Sequence, residues 1–315
     1  SFALQALVVK HFLHGAYYPK GGSQRIAESL LQTVADEGGW TSINADVAKI
    51  VVEGGKAVGV DLKSGQRIHA KKIISAAGIR STVERLLPED EKGPWTQSVQ
   101  SLRPASAHVC LYIGFKGDIR NAKATAANQW FYNTWDMNEE AWDISRTQAM
   151  NDAPCLYCSF PSLKDPLHQP GPEELHTGEV VTFVPWEIFR PWQNLPWQKR
   201  GKEYEEFKQG LQSHLLRQFL RHMPGLEKYI DRVELSTPLS TEHFCRPVSG
   251  SIYGLEPTPK RFQNSYLRPR SPIKKLYFSG SEVASVGVIG AMMGGVMCAT
   301  SAEPIPALRL LRSML

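Results

Sequence analysis

Lys275-Leu-Tyr-Phe-Ser-Gly280-Ser-Glu282-Val-Ala-Ser-Val-Gly287-Val-Ile-Gly290-Ala-Met-Met-Gly294-Gly295 is the stretch on which the reading of this 315-residue chain turns. It predicts a short strand from Lys275 to Phe278, a tight turn carrying an acid, and a helix that opens among small residues. A helix N-terminus presents unpaired N–H groups and a partial positive charge, so it can hold a pyrophosphate or the electron-rich pyrimidine edge of a reduced flavin. Gly287 and Gly290 would leave out the Cβ atoms that block such an approach, and the Glu282 carboxylate could accept hydrogen bonds from ribityl or ribose hydroxyls. The same spacing also suits a buried helix that uses Gly290, Gly294 and Gly295 to pack tightly. A loose glycine pattern does not choose between the two.

Outward from this stretch, a matching strand stands near the other end of the chain. Lys72-Ile-Ile-Ser-Ala-Ala-Gly78 is short, apolar and ends in small residues, as suits a buried strand whose end approaches a ligand. Before it, Val47 to Val52, Ala57 to Leu62 and Gln66 to Ala70 alternate with β-branched residues around turns at Gly54-Gly55 and Ser64-Gly65, which predicts a β-meander. Before that, two helices are expected, one from Phe2 to His14 and one from Ser23 to Glu37 that ends at Gly38-Gly39 and carries Ile26, Leu30, Leu31 and Val34 on one face. Gly21-Gly22 between them, without a preceding strand, reads as a turn before a helix rather than a phosphate cradle.

Between Trp95 and about Thr241 aromatics and prolines accumulate. Strand-like pieces run from Ala107 to Phe115, Leu156 to Phe160 and Val180 to Val184, and Glu203 to His222 repeats apolar residues every three or four positions, the most regular amphipathic helix of the chain. Trp130, Phe131, Tyr132, Trp135 and Trp142 form one aromatic cluster, and Phe183, Trp186, Phe189, Trp192 and Trp197 a second. They suit ordinary packing residue by residue and, together, a lipophilic ligand or a membrane interface.

Composition narrows the function classes. With 36 Lys and Arg against 31 Asp and Glu, the charge excess is too small for a nucleic-acid footprint. Five cysteines, an odd count without framework spacing, predict free thiols and a reducing compartment, cytoplasmic or peripheral to a membrane. Cys155 and Cys158 fall on a predicted strand, where positions three apart face opposite sides, so they are not read as a metal or redox pair. Nine histidines show no metal-ligand spacing, and no apolar run is long enough to cross a bilayer. No metal site is expected. His243 is read as a structural histidine near the return to the first domain. A general acid or base cannot be named from the sequence.

Several separated segments together resemble the family of phytoene desaturases, carotenoid isomerases and retinol saturases. They are Tyr18-Pro-Lys-Gly-Gly22, the Val47 strand with Gly59-Val60, Ile74 to Gly78, Gly250-Ser-Ile-Tyr-Gly254-Leu-Glu256, and Leu276 to Gly295. The middle, including Ser162-Leu-Lys-Asp165-Pro166, resembles the saturase and isomerase branch. The resemblance implies an α/β fold: a partial Rossmann-like FAD-binding domain, with a mixed sheet-and-helix substrate domain inserted in it. Residues 1–95 and 246–315 would form the discontinuous FAD domain, and residues 96–245 the substrate domain.

It further implies roles for particular residues. Backbone groups at Val47 would meet adenine, the strand end at Ala76, Ala77 and Gly78 would pass near the cofactor, Gly280 and Glu282 would contact the ribityl-phosphate region, and Val288, Ile289 and Gly290 would start the helix beside the flavin ring. An Asp often stands at the position of Glu282. The intact enzyme would desaturate, saturate or isomerise double bonds of a lipophilic isoprenoid small molecule. Nucleic acid is not an expected partner, and peripheral membrane contact is compatible with the aromatic clusters.

The family's opening Gly-x-Gly-x-x-Gly occurs nowhere in the chain. The expectation is therefore a C-terminal portion that binds FAD weakly or not at all by itself. A non-catalytic lipid-binding or interaction module that kept the fold is the alternative. An amine-oxidase-like flavoprotein is a third reading, which would need a polar amine pocket.

Overall fold

The computed structural model describes residues 2–13, 15–136, 142–144 and 150–313. The strands are β1 (Val47–Glu53), β2 (Lys56–Leu62), β3 (Arg67–His69), β4 (Ile73–Ser75), β5 (Ala107–Lys116), β6 (Gln129–Tyr132), β7 (Cys155–Ser159), β8 (Leu175–Val184), β9 (Ile230–Ser236) and β10 (Leu276–Phe278). The helices are α1 (Phe2–Phe12), α2 (Gln24–Asp36), α3 (Ile79–Ser81), α4 (Pro94–Gln100), α5 (Pro161–Lys164) and α6 (Trp186–Phe189), followed by α7 (Lys202–His222), α8 (Pro238–Cys245), α9 (Pro259–Gln263), α10 (Gly287–Ala302) and α11 (Pro304–Ser313).

The chain divides into two compact units. One is built from Ser1–Lys10, Ser42–Ala105 and Cys245–Leu315, the other from His11–Thr41 and Ser106–Phe244. The segment His11–Thr41, grouped by sequence with the terminal domain, clusters with the middle of the chain.

In the first unit the expected meander is present as an antiparallel sheet in the order β1-β2-β3. Gly54 (φ 56°) and Gly55 (φ 70°) turn β1 into β2, the left-handed pair that a two-residue hairpin of the strand's own twist requires. The pattern of β4 predicts a buried strand, and its partner comes from far along the chain. β10 runs parallel to it in the register Leu276 to Ile73 and Phe278 to Ser75. A parallel pair needs a long connection, and here the Ser106–Phe244 part of the second unit lies within it. Ile50, Val83, Leu276, Phe278 and Leu255 pack the core of this unit.

The second unit is a five-stranded sheet in the order β6-β7-β8-β5-β9 with α7 on one face. Val109, Leu111, Ile113 and Phe115 alternate along β5 toward Phe207, Leu211, Leu215 and Phe219 of α7, and these side chains share one buried core. Burying each is worth about 1.5–3 kcal/mol. Gln218 of α7 is fully buried, yet both its amide groups are used: Nε2 donates to Ala153 O and Oε1 accepts from Ala153 N, each at 2.9 Å.

Of the aromatic clusters, Trp142 and Phe189 are core residues, whereas Trp130 and Tyr132 stack on the exposed side of edge strand β6 and Trp135 is fully exposed. Helix α2 forms where its period predicts, but no residue of it is buried, so its apolar face is open in the described residues. All five cysteines are unbridged. Burial pushes the Cys110 and Cys158 thiols up to about 12.

Candidate functional site

The two parallel strands deliver their C-terminal turns to one place. After β4 the chain turns at Gly78 (φ 87°) into α3, and after β10 it turns at Gly280 (φ 100°). Ser279 N donates to Ser75 O at 2.9 Å, which locks the two turns side by side. Thr82 Oγ1 donates to Gly78 O and accepts from Ser75 Oγ, both at 2.6 Å, so the Gly78 turn is tied to its strand and to the helix that follows.

Glu282 stands between these turns, 7% exposed. Its Oε2 accepts the backbone N–H groups of Ile79 at 2.6 Å and Arg80 at 3.1 Å. The acid from one end of the chain thus caps a helix near the other, satisfying donors that a helix start leaves unpaired. Gly254 makes room for it: a Cβ there would lie 2.5 Å from Glu282 Oε1. Burial pushes the Glu282 carboxyl up, opposed by the Arg80 and Ile79 N–H groups and by the Arg261 and Arg80 cations. The other oxygen, Oε1, makes no such bond among the described residues and is not sealed from solvent.

Arg261, which carries no sequence signal of its own, is the buried countercharge. It is 1% exposed, and donates from Nη1 to Leu255 O at 2.5 Å and from Nη2 to Ser281 O at 2.6 Å, holding the segment next to Glu282. Burial lowers its pKa, and Glu282 acts in the opposite direction.

The glycines of the opening stretch separate into two kinds. Gly290 and Gly294 are packing positions: a Cβ would fall 1.9 Å from Ser285 O and 2.1 Å from Gly280 O respectively. Together with Cys298 and Ala302 they form the buried stripe of α10. Gly290 therefore faces Ser285, not an open approach to the helix. Gly287 differs, with φ 86° and open space where a Cβ would stand. The large apolar residues of α10 lie outward, with Val288 60%, Ile289 56% and Met292 49% exposed. A helix normally hides its large apolar side chains and shows its small ones. The reversed arrangement leaves an apolar surface at the start of α10.

Of the residues singled out by sequence, the structure brings Ala77, Gly78, Gly280 and Glu282 together at the two strand ends, and places Val288 and Ile289 at the open N-terminus of α10. Val47 begins β1, an edge strand of its sheet, and no hydrogen bond joins it to the Glu282 cluster among the described residues. His243 stacks on Trp197, ring centroids 5.2 Å apart. Gly21 donates its N–H to Asp165 Oδ1 at 2.9 Å, and Gly22 N closes a turn on Pro19 O. No group of three His, Cys, Asp or Glu side chains is placed to hold a metal among the described residues, and no described helix is long and apolar enough to cross a membrane.

Curated relatives agree with the family that the separated segments pointed to. Over 95% of this chain, it is 30% identical to the all-trans-retinol 13,14-reductase of Danio rerio, and over 96% of it 29% identical to that of Homo sapiens. It is also 29% identical, over 94% of its length, to the chloroplastic prolycopene isomerase of Daucus carota. The chain spans about half the length of these relatives, 51%, 51% and 45% respectively.

Solved structures agree on the fold. An oxidoreductase from Methanosarcina mazei superimposes with a TM-score of 0.57 at 16% identity over 88% of this chain and 53% of its own. A putrescine oxidase does so with 0.55 at 14% identity over 91% and 53%. The α/β architecture is thus shared with these oxidoreductases. The family model described as flavin containing amine oxidoreductase matches residues 2–302, and the chain belongs to that family.

Proposed function

We propose that this chain forms one side of an FAD site in an enzyme that reduces, desaturates or isomerises carbon–carbon double bonds of a lipophilic isoprenoid, a retinoid or a carotenoid. The observation that carries the reading is buried Glu282, held by Oε2 on the α3 N-terminus between the two glycine turns, just ahead of the exposed apolar start of α10. Its Oε1 is left able to accept, and a ribityl or ribose hydroxyl is a donor of the right kind. When bound, FAD supplies the hydride or electrons.

The residues of this chain bind and orient it. Glu282 Oε1 would accept from a sugar hydroxyl, while Oε2 holds the α3 N-terminus and so fixes the carboxylate. The exposed Val288 and Ile289 give a dry apolar platform for the ring, and the α10 N-terminus favours negative charge on it. The strand ends at Ala77, Gly78 and Gly280 keep side chains out of the cofactor's path, and edge strand β1 can present backbone groups at Val47 to adenine. Gly290 supports the helix start from beneath.

Because the chain carries no Gly-x-Gly-x-x-Gly, it holds these contacts without the usual pyrophosphate loop. Exposed Trp130, Tyr132 and Trp135 in the second unit suit a polyene or a lipid surface. One zebrafish relative, 29% identical, is described as an inactive all-trans-retinol 13,14-reductase, which favours a non-catalytic module as the second reading.

The test is the protein produced at the length of its curated relatives, assayed for bound flavin and for turnover of retinol, prolycopene and a diamine. Flavin with turnover of a polyene supports the proposal. Colourless protein favours the module, and turnover of the amine favours the amine-oxidase reading. Sub-micromolar FAD binding by the 315-residue chain alone would overturn the one-sided site.

A further inference from the structure

At one end of the five-stranded sheet, within the second unit, lies a cavity of about 430 Å³ whose lining includes Arg120, Ser162, Asp165, His168 and His176. Its size is that of a small-ligand pocket. Arg120 comes from the turn after β5, Ser162 and Asp165 from the Ser162-Leu-Lys-Asp165-Pro166 segment after β7, and His176 from the start of β8. None of these has a part in the cofactor site.

The polar groups around the cavity divide into those already used and those free. Asp165 Oδ1 accepts from Gly21 N and Leu167 N, each at 2.9 Å. Asp118 Oδ1 accepts from Arg120 N at 3.0 Å and Arg120 Nε at 2.7 Å. Ser162 Oγ accepts from Thr177 N at 3.0 Å and lies 3.2 Å from His176 Nδ1. Ser162 Oγ can donate to Nδ1 while it accepts from Thr177, the arrangement in which the neutral imidazole's proton stands on Nε2.

That Nε2 is buried in a residue only 5% exposed, and it has no partner among the described residues. The Arg120 Nη atoms likewise make no hydrogen bond among the described residues. One oxygen of each carboxylate is occupied, Arg120 is paired with Asp118 through Nε, and His168 Nε2 lies 2.9 Å from Leu175 O, which leaves His176 Nε2 and the Arg120 Nη groups as the unbonded donors. Among the described residues the two histidines lack the third ligand that a metal would need.

We propose that this cavity binds a small oxyanion, a carboxylate or phosphate group, which accepts from His176 Nε2 and the Arg120 guanidinium. Burial, then His168 and Arg120, hold the empty-site His176 pKa down, while Asp118 and Glu174 act against them. An anion on Nε2 favours the imidazolium, so binding strengthens as pH falls and saturation raises the His176 pKa.

The experiment is calorimetric and NMR titration of the whole 315-residue chain with sodium phosphate and, separately, sodium succinate at constant ionic strength. Saturable binding of at least one probe is expected, with a raised His176 pKa at saturation and affinity about tenfold or more weaker in Arg120→Gln and in His176→Gln. The tighter probe identifies the anion class. The proposal is overturned if neither probe moves the His176 resonances, or if Arg120→Gln binds as tightly as the parent. Arg120, with its side chain 61% exposed, can be replaced without disturbing the core, so it decides the matter even where His176→Gln fails to fold.

Discussion

Replacing Gly294 by Ala tests the packing of α10 most directly, because the neighbouring Gly295 supplies an internal control. A Cβ on Gly294 would sit 2.1 Å from Gly280 O, 2.8 Å from its carbonyl carbon and 2.9 Å from its N. The closest of these is about 1.3 Å short of the 3.4 Å where ordinary contact begins, and backbone cannot rotate away as a side chain can. Helix α10 must then lift from the turn after β10, loosening Cys298 and Ala302 on the same buried stripe. Overpacking of this kind costs about 1–3 kcal/mol and upward, against about 1 kcal/mol that Ala gains over Gly in a helix. We expect a net loss of roughly 1–2 kcal/mol for Gly294→Ala, the upper part of the overpacking range less the helix gain, since backbone meets backbone. At Gly295 the same methyl would meet Ser279 Oγ at 3.8 Å, so Gly295→Ala should stabilise by about 0.5–1 kcal/mol. Thermal unfolding followed by circular dichroism compares the two directly. Equal shifts of the same sign would refute the account of α10 as a helix seated through its small stripe.

Three further outcomes follow from buried polar groups and thiols. Gln218→Leu keeps the bulk but strips both partners from Ala153, leaving a buried N–H and C=O unpaired; a loss of about 2–4 kcal/mol in urea unfolding is expected, and a change within experimental scatter would show that water replaces the amide. Among the thiols, Cys245 is exposed and the other four are buried, so Ellman's reagent at mildly alkaline pH should find one fast thiol in the native chain and the rest on unfolding; several fast thiols would contradict the placement of Cys110 and Cys158. Glu282, with its folded pKa raised by burial, binds its proton more tightly folded than unfolded, so stability should fall as pH rises from the ordinary carboxylate value through the raised one. Glu282→Gln should flatten that fall, and identical slopes of urea midpoint against pH in the two proteins would exclude a buried, penalised carboxylate.

What could be read from the sequence was whatever is encoded by local period or turn chemistry. The meander from Val47 to Ala70, the helix at Glu203 to His222 and the strand ahead of Gly280 all bury a face at the spacing of their own residues. What could not be read depends on partners far along the chain. Nothing near Ile73 announces that Leu276 will lie beside it, nor does Arg261, in an ordinary Thr-Pro-Lys-Arg helix start, show that it will be buried against Ser281 and Leu255. The grouping of His11–Thr41 with the middle of the chain is of the same kind. It goes with contacts such as Gly21 N to Asp165 Oδ1, between residues 144 apart in sequence.

The glycine-rich stretch shows why motif and packing readings are hard to separate from spacing alone. A helix that must start at a ligand and also lie tightly on the strand behind it needs small residues for both purposes, and they recur at the same helical period. In α10 the two demands fall on different residues. Gly290 and Gly294 are consumed by Ser285 and Gly280, which fixes the height of the helix over the strand ends. That seating leaves Gly287 open and turns Val288 and Ile289 outward. The packing glycines thus act on any ligand indirectly, by setting where the open ones stand. Gly294→Ala should therefore weaken whatever binds at Val288 and Ile289 even though residue 294 is buried away from that surface, whereas Gly295→Ala should leave binding unchanged.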